Sequence, residues 1–138
     1  MACLFILRYI FPLLLFHGET EVSPKEKLSD YEFFVGRLAD LSPADDVIPY
    51  TLNTPLFSNY AEKLRFIKLP RNKTIAYRDS TVFEFPKGTV LIKNFYYPTD
   101  FRKPDKGRTI LETRLLINEG SGWQAYPYIW NDDQTEAF

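Results

Sequence analysis

The sequence predicts an all-β (mostly β) protein, an antiparallel sandwich or partial barrel preceded by one or two short helical turns. Three observations predict this fold class. Segments from Leu64 onward are rich in β-branched and aromatic residues. Clusters of Pro, Gly, Asn, Asp and Ser separate these segments at short intervals. The composition, 45% hydrophobic with a 17% aromatic share, indicates a chain that buries a core.

The first 18 residues predict a secretory leader. Residues 1–16 are apolar except for Arg8, and polar residues begin at His17. This stretch is shorter than the ~20 apolar residues of a membrane-spanning helix, and a short apolar stretch is typical of a signal peptide. A mis-assigned start or a buried strand is the alternative. We therefore expect an exported protein, periplasmic or extracellular in a bacterium, with no membrane span in its mature form.

The predicted elements follow in chain order. Residues 19–27 are charged, contain a proline and predict a linker, whereas residues 28–138 predict a single module. Ser29 and Glu32 have the spacing of a capping box, which predicts a short helix through Phe34 that ends at Gly36. Residues 42–45 predict one more helical turn, because proline is tolerated at a first helical position. Residues 47–55 contain two prolines and are expected to be extended.

Six strands are predicted, at residues 64–69, 74–77, 82–85, 89–97, 109–118 and 123–130. A basic loop, residues 101–107, joins the two longest. Strict alternation divides the fifth strand into two faces: one carries Leu111, Thr113, Leu115 and Ile117, and the other carries Ile110, Glu112, Arg114 and Leu116. The chain ends on the apolar Phe138 without a polar tail, which predicts that the module is truncated at its C-terminus.

The composition excludes several classes of chemistry. Cys3, His17 and Met1 are the only cysteine, histidine and methionine, and all three lie in the predicted leader. Residues 19–138 therefore exclude Cys/His zinc sites, Ser-His-Asp and Cys-His nucleophiles, and covalent haem attachment through C-x-x-C-H. The formal net charge of -1, without a basic run, gives no electrostatic footprint for nucleic acid.

Two groups of residues form a candidate binding surface. Glu112 and Arg114 share a face of one predicted strand, and Lys93 lies on a strand that can pair with it. They indicate either a polar site or a cross-strand ion-pair ladder. An aromatic run that begins at Trp123 could stack against sugar rings, or could instead pack in the core or between domains. Three of its members lie on one face by alternation: Tyr126, Tyr128 and Trp130. No catalytic, cofactor-binding or metal-binding residue is assigned.

Residues 28–138 resemble the N-terminal module of a family of secreted bacterial proteins. The stretches that carry the resemblance are LSDY at 28–31, IPYTLNTPLFS at 48–58, AEKLRF at 61–66, FPKGTVLIK at 85–93, ETRLL at 112–116 and YIWNDDQT at 128–135. They follow the same order across nearly the whole mature chain. The family is an uncharacterised group of diheme c-type cytochromes, and a similar module occurs with sugar-dehydrogenase-like domains.

The resemblance implies a non-catalytic accessory or interaction module of an exported, cytochrome-like electron-transfer protein. The haem motifs of that family lie C-terminal to the module, so haem c is expected only in a longer parent protein and no cofactor in this chain. The implied partners are haem-bearing domains of the same parent chain or a secreted redox partner. The alternative is a carbohydrate- or small-molecule-binding β-sandwich. An enzyme that uses only carboxylates, lysine and tyrosine ranks last, because no two carboxylates form a recognisable pair.

Overall fold

The computed structural model describes residues 24–138. The predicted signal peptide and residues 19–23 of the predicted linker lie outside the described residues. Within the described part no helix is long and apolar enough to cross a membrane.

The fold is one antiparallel sheet of five strands in the order β1-β2-β3-β4-β5. The strands are β1 (Val47–Pro49), β2 (Glu62–Lys68), β3 (Val90–Pro98), β4 (Arg108–Asn118) and β5 (Trp123–Ile129). The helical content of residues 24–138 is three short 3-10 helices, Leu28–Tyr31, Leu38–Asp40 and Pro104–Lys106. The predicted all-β antiparallel class is confirmed.

The pleat divides the sheet into an inner and an outer face. Cross-strand rows of the inner face include Phe66, Ile92, Leu115 and Tyr126, which are mutual register partners. The core combines these strands with the segment before β1, and its buried members include Leu28, Tyr31, Phe33, Leu41, Val47, Phe66, Val90, Ile92, Ile110, Leu115, Ile117, Tyr128 and Trp130. The second layer of the fold is therefore this N-terminal segment, which covers the inner face.

Aromatic contacts and hydrogen bonds fix the N-terminal segment on the inner face. The ring of Tyr31 meets that of Tyr128 edge-on at 5.8 Å between centroids, and Phe34 meets Phe66 at 5.3 Å. The Tyr31 and Tyr128 hydroxyl oxygens lie 2.8 Å apart, and the Tyr128 hydroxyl also donates to the Lys25 carbonyl at 2.6 Å. The segment thus contributes rings to the core and polar contacts at its rim.

The C-terminal residues close against the start of the module. Trp130 and Ala137 form an isolated antiparallel bridge, and the Leu28 amide donates to the Ala137 carbonyl at 3.0 Å. The Glu136 carboxylate accepts from the Ser29 hydroxyl at 2.5 Å and from the Ser29 amide at 3.2 Å. Desolvation opposes ionisation of Glu136, but these hydrogen bonds prevail and hold its pKa below the usual value.

The predicted capping box is wrong in its details. Ser29 lies inside the first 3-10 helix, whose N-cap residue is Lys27, and no side chain caps this helix start. The Ser29 hydroxyl instead reaches Glu136 across the module. The next helical turn is Leu38–Asp40, earlier than predicted, because Pro43 is taken up in an isolated bridge with Phe34.

Two of the six predicted strands are absent from the described residues. Residues 74–77 and 82–85 lie in the long connection between β2 and β3, and neither has a ladder partner. Tyr77 and Val82 are 80% and 88% exposed, so this connection does not contribute them to the core. The remaining four predictions correspond to β2 to β5, with boundaries that differ by one or two residues.

A β-bulge alters the faces predicted for β4. The β3–β4 register passes from Phe95–Glu112 to Tyr96–Ile110, so that Leu111 has no partner on β3. An extra residue of this kind reverses the alternation beyond it. Thr113, Leu115 and Ile117 share one face, as predicted, and that face is buried. Ile110 and Leu111 each lie on the face opposite to the predicted one, so Ile110 is buried with these residues and Leu111 is exposed.

Candidate functional site

The side chains on the outer face of the sheet do not pack in the core. Two neighbouring cross-strand rows define it. The apolar row consists of Ile48, Ile67, Leu91, Leu116 and Ala125, one residue from each strand. The cation row consists of Arg65, Lys93 and Arg114 on the three central strands. Because strands lie ~4.8 Å apart, the three backbone positions of the cation row span about 10 Å.

Two members of the cation row, Lys93 and Arg114, lie over one aromatic ring. The Lys93 ammonium lies 4.5 Å and the Arg114 guanidinium carbon 4.9 Å from the centroid of the Phe95 ring. The two side chains cover this ring, which is only 8% exposed although it points away from the core. Cation–π contacts of this length are attractive, so they hold both cations at fixed positions on the face.

One carboxylate accompanies these cations. Glu112 and Arg114 form an ion pair at 2.6 Å, and Lys63 is the register neighbour of Phe95 on β2. Four cations and one carboxylate (4 − 1 = 3) leave an excess of three positive charges on this part of the face. Like charges on directly opposed strands destabilise a sheet, so the arrangement carries an electrostatic cost in the isolated chain.

The pKa of Lys93 is lowered from its ordinary value. Partial burial lowers its pKa first, and the positive charges of Arg65, Arg114 and Lys63 lower it further, against the opposite effect of Glu112. The predicted group of Lys93, Glu112 and Arg114 is thus brought together, and its net character is cationic.

Arg65 is the member of the cation row that the sequence interpretation missed. It lies between Lys63 and Ile67 in β2, and all three project to the outer face. The alternation of EKLRFIK at 62–68 was the signal that could have identified it, because it places Lys63, Arg65 and Ile67 on one side.

The apolar row is accessible along much of its length. Ile48 is 54% and Leu116 37% exposed, and Ala125 is also exposed, while Ile67 and Leu91 are half-buried. Ile129 adds a further exposed aliphatic side chain beside Glu112, its register partner. A contiguous apolar strip beside fixed charges is the composition typical of an interaction surface.

Aromatic side chains form a corner at one end of the outer face. Tyr97 lies two residues beyond Phe95 on β3, and its hydroxyl donates to the Asn59 carbonyl at 3.1 Å. The rings of Tyr97 and Phe101 lie 6.1 Å apart, and with Tyr60 they line a shallow cavity. We call Tyr60, Tyr97 and Phe101 the aromatic corner.

The aromatic run predicted as a stacking surface lies on the inner face. Tyr128 and Trp130 are 4% and 6% exposed, and Tyr126 is half-buried with its hydroxyl bonded to Glu119 at 2.8 Å. Tyr128 and Trp130 therefore pack in the core and are not accessible to a ligand. The six candidate residues do not form one surface, because the aromatic and the charged groups lie on opposite sides of the sheet.

A buried polar chain underlies this packing. The Trp130 indole donates to the Thr113 hydroxyl at 3.0 Å, and that hydroxyl donates to the Asn94 carbonyl oxygen at 2.6 Å. Among the residues that the structure describes, the Asn94 amide nitrogen has no hydrogen-bond partner. Thr113 and Asn94 are fully buried, so the chain of contacts fixes the indole within the core.

The outer face presents charged and apolar groups of the kind that bind a partner. In residues 24–138 no group of three histidine, cysteine or acidic residues is placed to hold a metal ion. The one carboxylate on the outer face is paired with Arg114. What the face presents is fixed positive charge beside an apolar strip.

Comparisons with known proteins give no relative: no family model, no curated protein and no solved structure matches this chain.

Proposed function

We propose that this chain is a non-catalytic interaction module of an exported, cytochrome-like electron-transfer protein, and that it docks through its outer face. The observation that supports docking is the accessible apolar row beside the cation row, in which Lys93 and Arg114 lie over Phe95. The family resemblance supports the redox setting. Under this proposal the partner is a haem-bearing domain of the same parent protein or a separate secreted redox protein, and haem c belongs to that partner.

The physical argument for docking is the cost of leaving this face in water. The N-terminal segment covers the inner face, where Leu115 and Ile92 are fully buried. The apolar row lies on the other face, so its side chains are not buried in the core by folding. Burial of apolar surface on association is favourable at about 25 cal/mol per Å². An interaction module gains this energy when it binds.

The experiment uses the tagged chain, with its own leader, produced in its source organism. Capture is followed by in-gel peroxidase staining, which detects covalently bound haem. We expect the wild type to retain a haem-staining protein and Lys93→Glu to lose it. Lys73→Glu makes the same change of charge at an exposed position of the β2–β3 connection, which belongs to neither the apolar row nor the cation row, and is the matched control.

Three results would count against the proposal. A captured partner without covalent haem removes the redox setting. Equal capture by the wild type and Lys93→Glu removes the outer face as the docking site. A loss of capture by Lys73→Glu as well shows that net charge, and not the face, determines binding.

Carbohydrate or small-molecule binding is the second candidate, and the aromatic corner is the observation that favours it. Exposed rings can stack on sugar faces, and Phe101 is 62% exposed. A glycan array with wild type and Phe101→Ala tests this. Saturable binding that the variant loses supports the candidate, and a panel without binding above background contradicts it.

A further inference from the structure

We infer that the partner of the outer face is an acidic protein surface, with carboxylates spaced about 5 Å apart over roughly 10 Å to match the cation row, beside an apolar strip that matches the apolar row. This inference rests on the proposed function, because it specifies the chemistry of what that face binds. It goes further in naming the charge, spacing and composition of the partner.

Charge complementarity carries the inference. Arg65, Lys93 and Arg114 are direct cross-strand neighbours, and within residues 24–138 only Arg114 of these three forms an ion pair with a carboxylate, at 2.6 Å from Glu112. Partner carboxylates opposite Arg65 and Lys93 relieve the repulsion among the three cations. Complementary potentials of this kind also steer the encounter and disfavour wrong partners.

The apolar row makes a polyanion such as nucleic acid a poorer match. A phosphate backbone gains little from Ile67, Leu91 and Leu116, and the Glu112 carboxylate beside Arg114 repels it. The whole chain carries a formal net charge of -1. The surface therefore fits a partner with mixed apolar and acidic character.

A second copy of this chain is also a poor match. Two copies joined by a two-fold axis place the same surface on both sides of the contact. Such a contact opposes one cation row to another, or sets cations on an apolar row. Both arrangements leave the excess charge unrelieved.

The first test uses a defined probe on the full chain. The probe is a blocked ten-residue glutamate peptide, and amide chemical shifts from NMR locate its binding at low salt. We expect shifts at the strand positions of the cation row, and binding weakened at least about tenfold by Lys93→Glu, the ratio that corresponds to 1.4 kcal/mol. Lys73→Glu serves as the control and leaves binding within about twofold.

The second test separates the charged and the apolar parts on the partner captured from cells. Affinity is measured at two salt concentrations for wild type, Lys93→Gln and Leu116→Thr. Salt screens charge pairs, so Lys93→Gln reduces both affinity and its dependence on salt. Leu116→Thr keeps a residue with high β-propensity and reduces affinity while leaving the salt dependence unchanged.

The outcomes distinguish this inference from the proposed function. Capture that depends on Leu116 but neither on salt nor on Lys93 overturns the acidic partner and leaves docking through the face in place. Glutamate-peptide shifts away from the cation row, tighter binding of inorganic polyphosphate than of the peptide, or a dimer at the concentrations tested also overturn it. If the wild type captures no haem-staining protein but still binds the glutamate peptide at the cation row, the proposed function alone is overturned.

Discussion

Replacing Tyr128 with Phe removes one oxygen from the contact that fixes the N-terminal segment on the sheet. The hydroxyl lies 2.8 Å from that of Tyr31 and donates to the Lys25 carbonyl at 2.6 Å. A typical hydrogen bond contributes ~1 kcal/mol net, and a buried partner left unsatisfied adds more. Tyr31 keeps a bond from the Lys25 amide at 2.8 Å. We therefore expect Tyr128→Phe to lower the free energy of unfolding by about 1.5–2.5 kcal/mol.

Urea denaturation followed by circular dichroism measures this loss. Tyr126→Phe is the matched control, since it makes the same change two residues away on β5, where the hydroxyl meets Glu119 at the rim. A double-mutant cycle with Tyr31→Phe should give a coupling of ~0.5 kcal/mol or more. If Tyr128→Phe costs no more than Tyr126→Phe, the segment is not held on the sheet in this way.

Three further predictions test the faces of the sheet and its response to pH. Burial and, second, the contact with Tyr31 raise the pKa of Tyr128. The contribution of Tyr128 to the free energy of unfolding is therefore fully present below the ordinary tyrosine pKa of ~10 and is lost as pH rises above it. In urea titrations between pH 9 and 11, the free energy of unfolding should fall less for Tyr128→Phe than for the wild type. In the same assay Leu115→Ala should lower the free energy of unfolding by ~2–5 kcal/mol because Leu115 is fully buried, whereas Leu116→Ala on the outer face should lower it by under ~1 kcal/mol. Equal losses for the two variants would contradict the assignment of faces. Ile110→Lys should abolish folding and Leu111→Lys should be tolerated, as judged by circular dichroism, and the reverse result refutes the bulge.

The four strands that the sequence predicted correctly have both a suitable composition and a partner. Alternation in β4 identifies the inward Thr113, Leu115 and Ile117 because a regular pleat places every second residue on one face. Residues 74–77 and 82–85 have a similar composition but pair with no strand. β-propensity describes fit to a sheet, and it does not specify whether a free edge is available.

The errors at the N-terminal segment and the bulge have the same origin in distant contacts. Ser29 has the spacing of a capping residue, yet its hydroxyl bonds to Glu136 at the far end of the chain. Leu111 projects outward because β3 and β4 change register there. The local sequence pattern predicts neither of these contacts.

The candidate site was predicted in part. The sequence brought Lys93, Glu112 and Arg114 together because strands 89–97 and 109–118 are neighbours in the chain and pair as a hairpin. It did not separate them from Tyr128 and Trp130, because the face of each strand depends on the register of the whole sheet.

Lysine footprinting of the complex captured from cells tests the central claim most directly. An amine-reactive label with mass spectrometry compares each lysine in the free chain and in the complex. We predict that Lys63 and Lys93 on the outer face become protected, while the exposed Lys73 and Lys106 react equally in both states. Unchanged labelling of Lys63 and Lys93, with protection at Lys73 or Lys106, contradicts docking through the outer face.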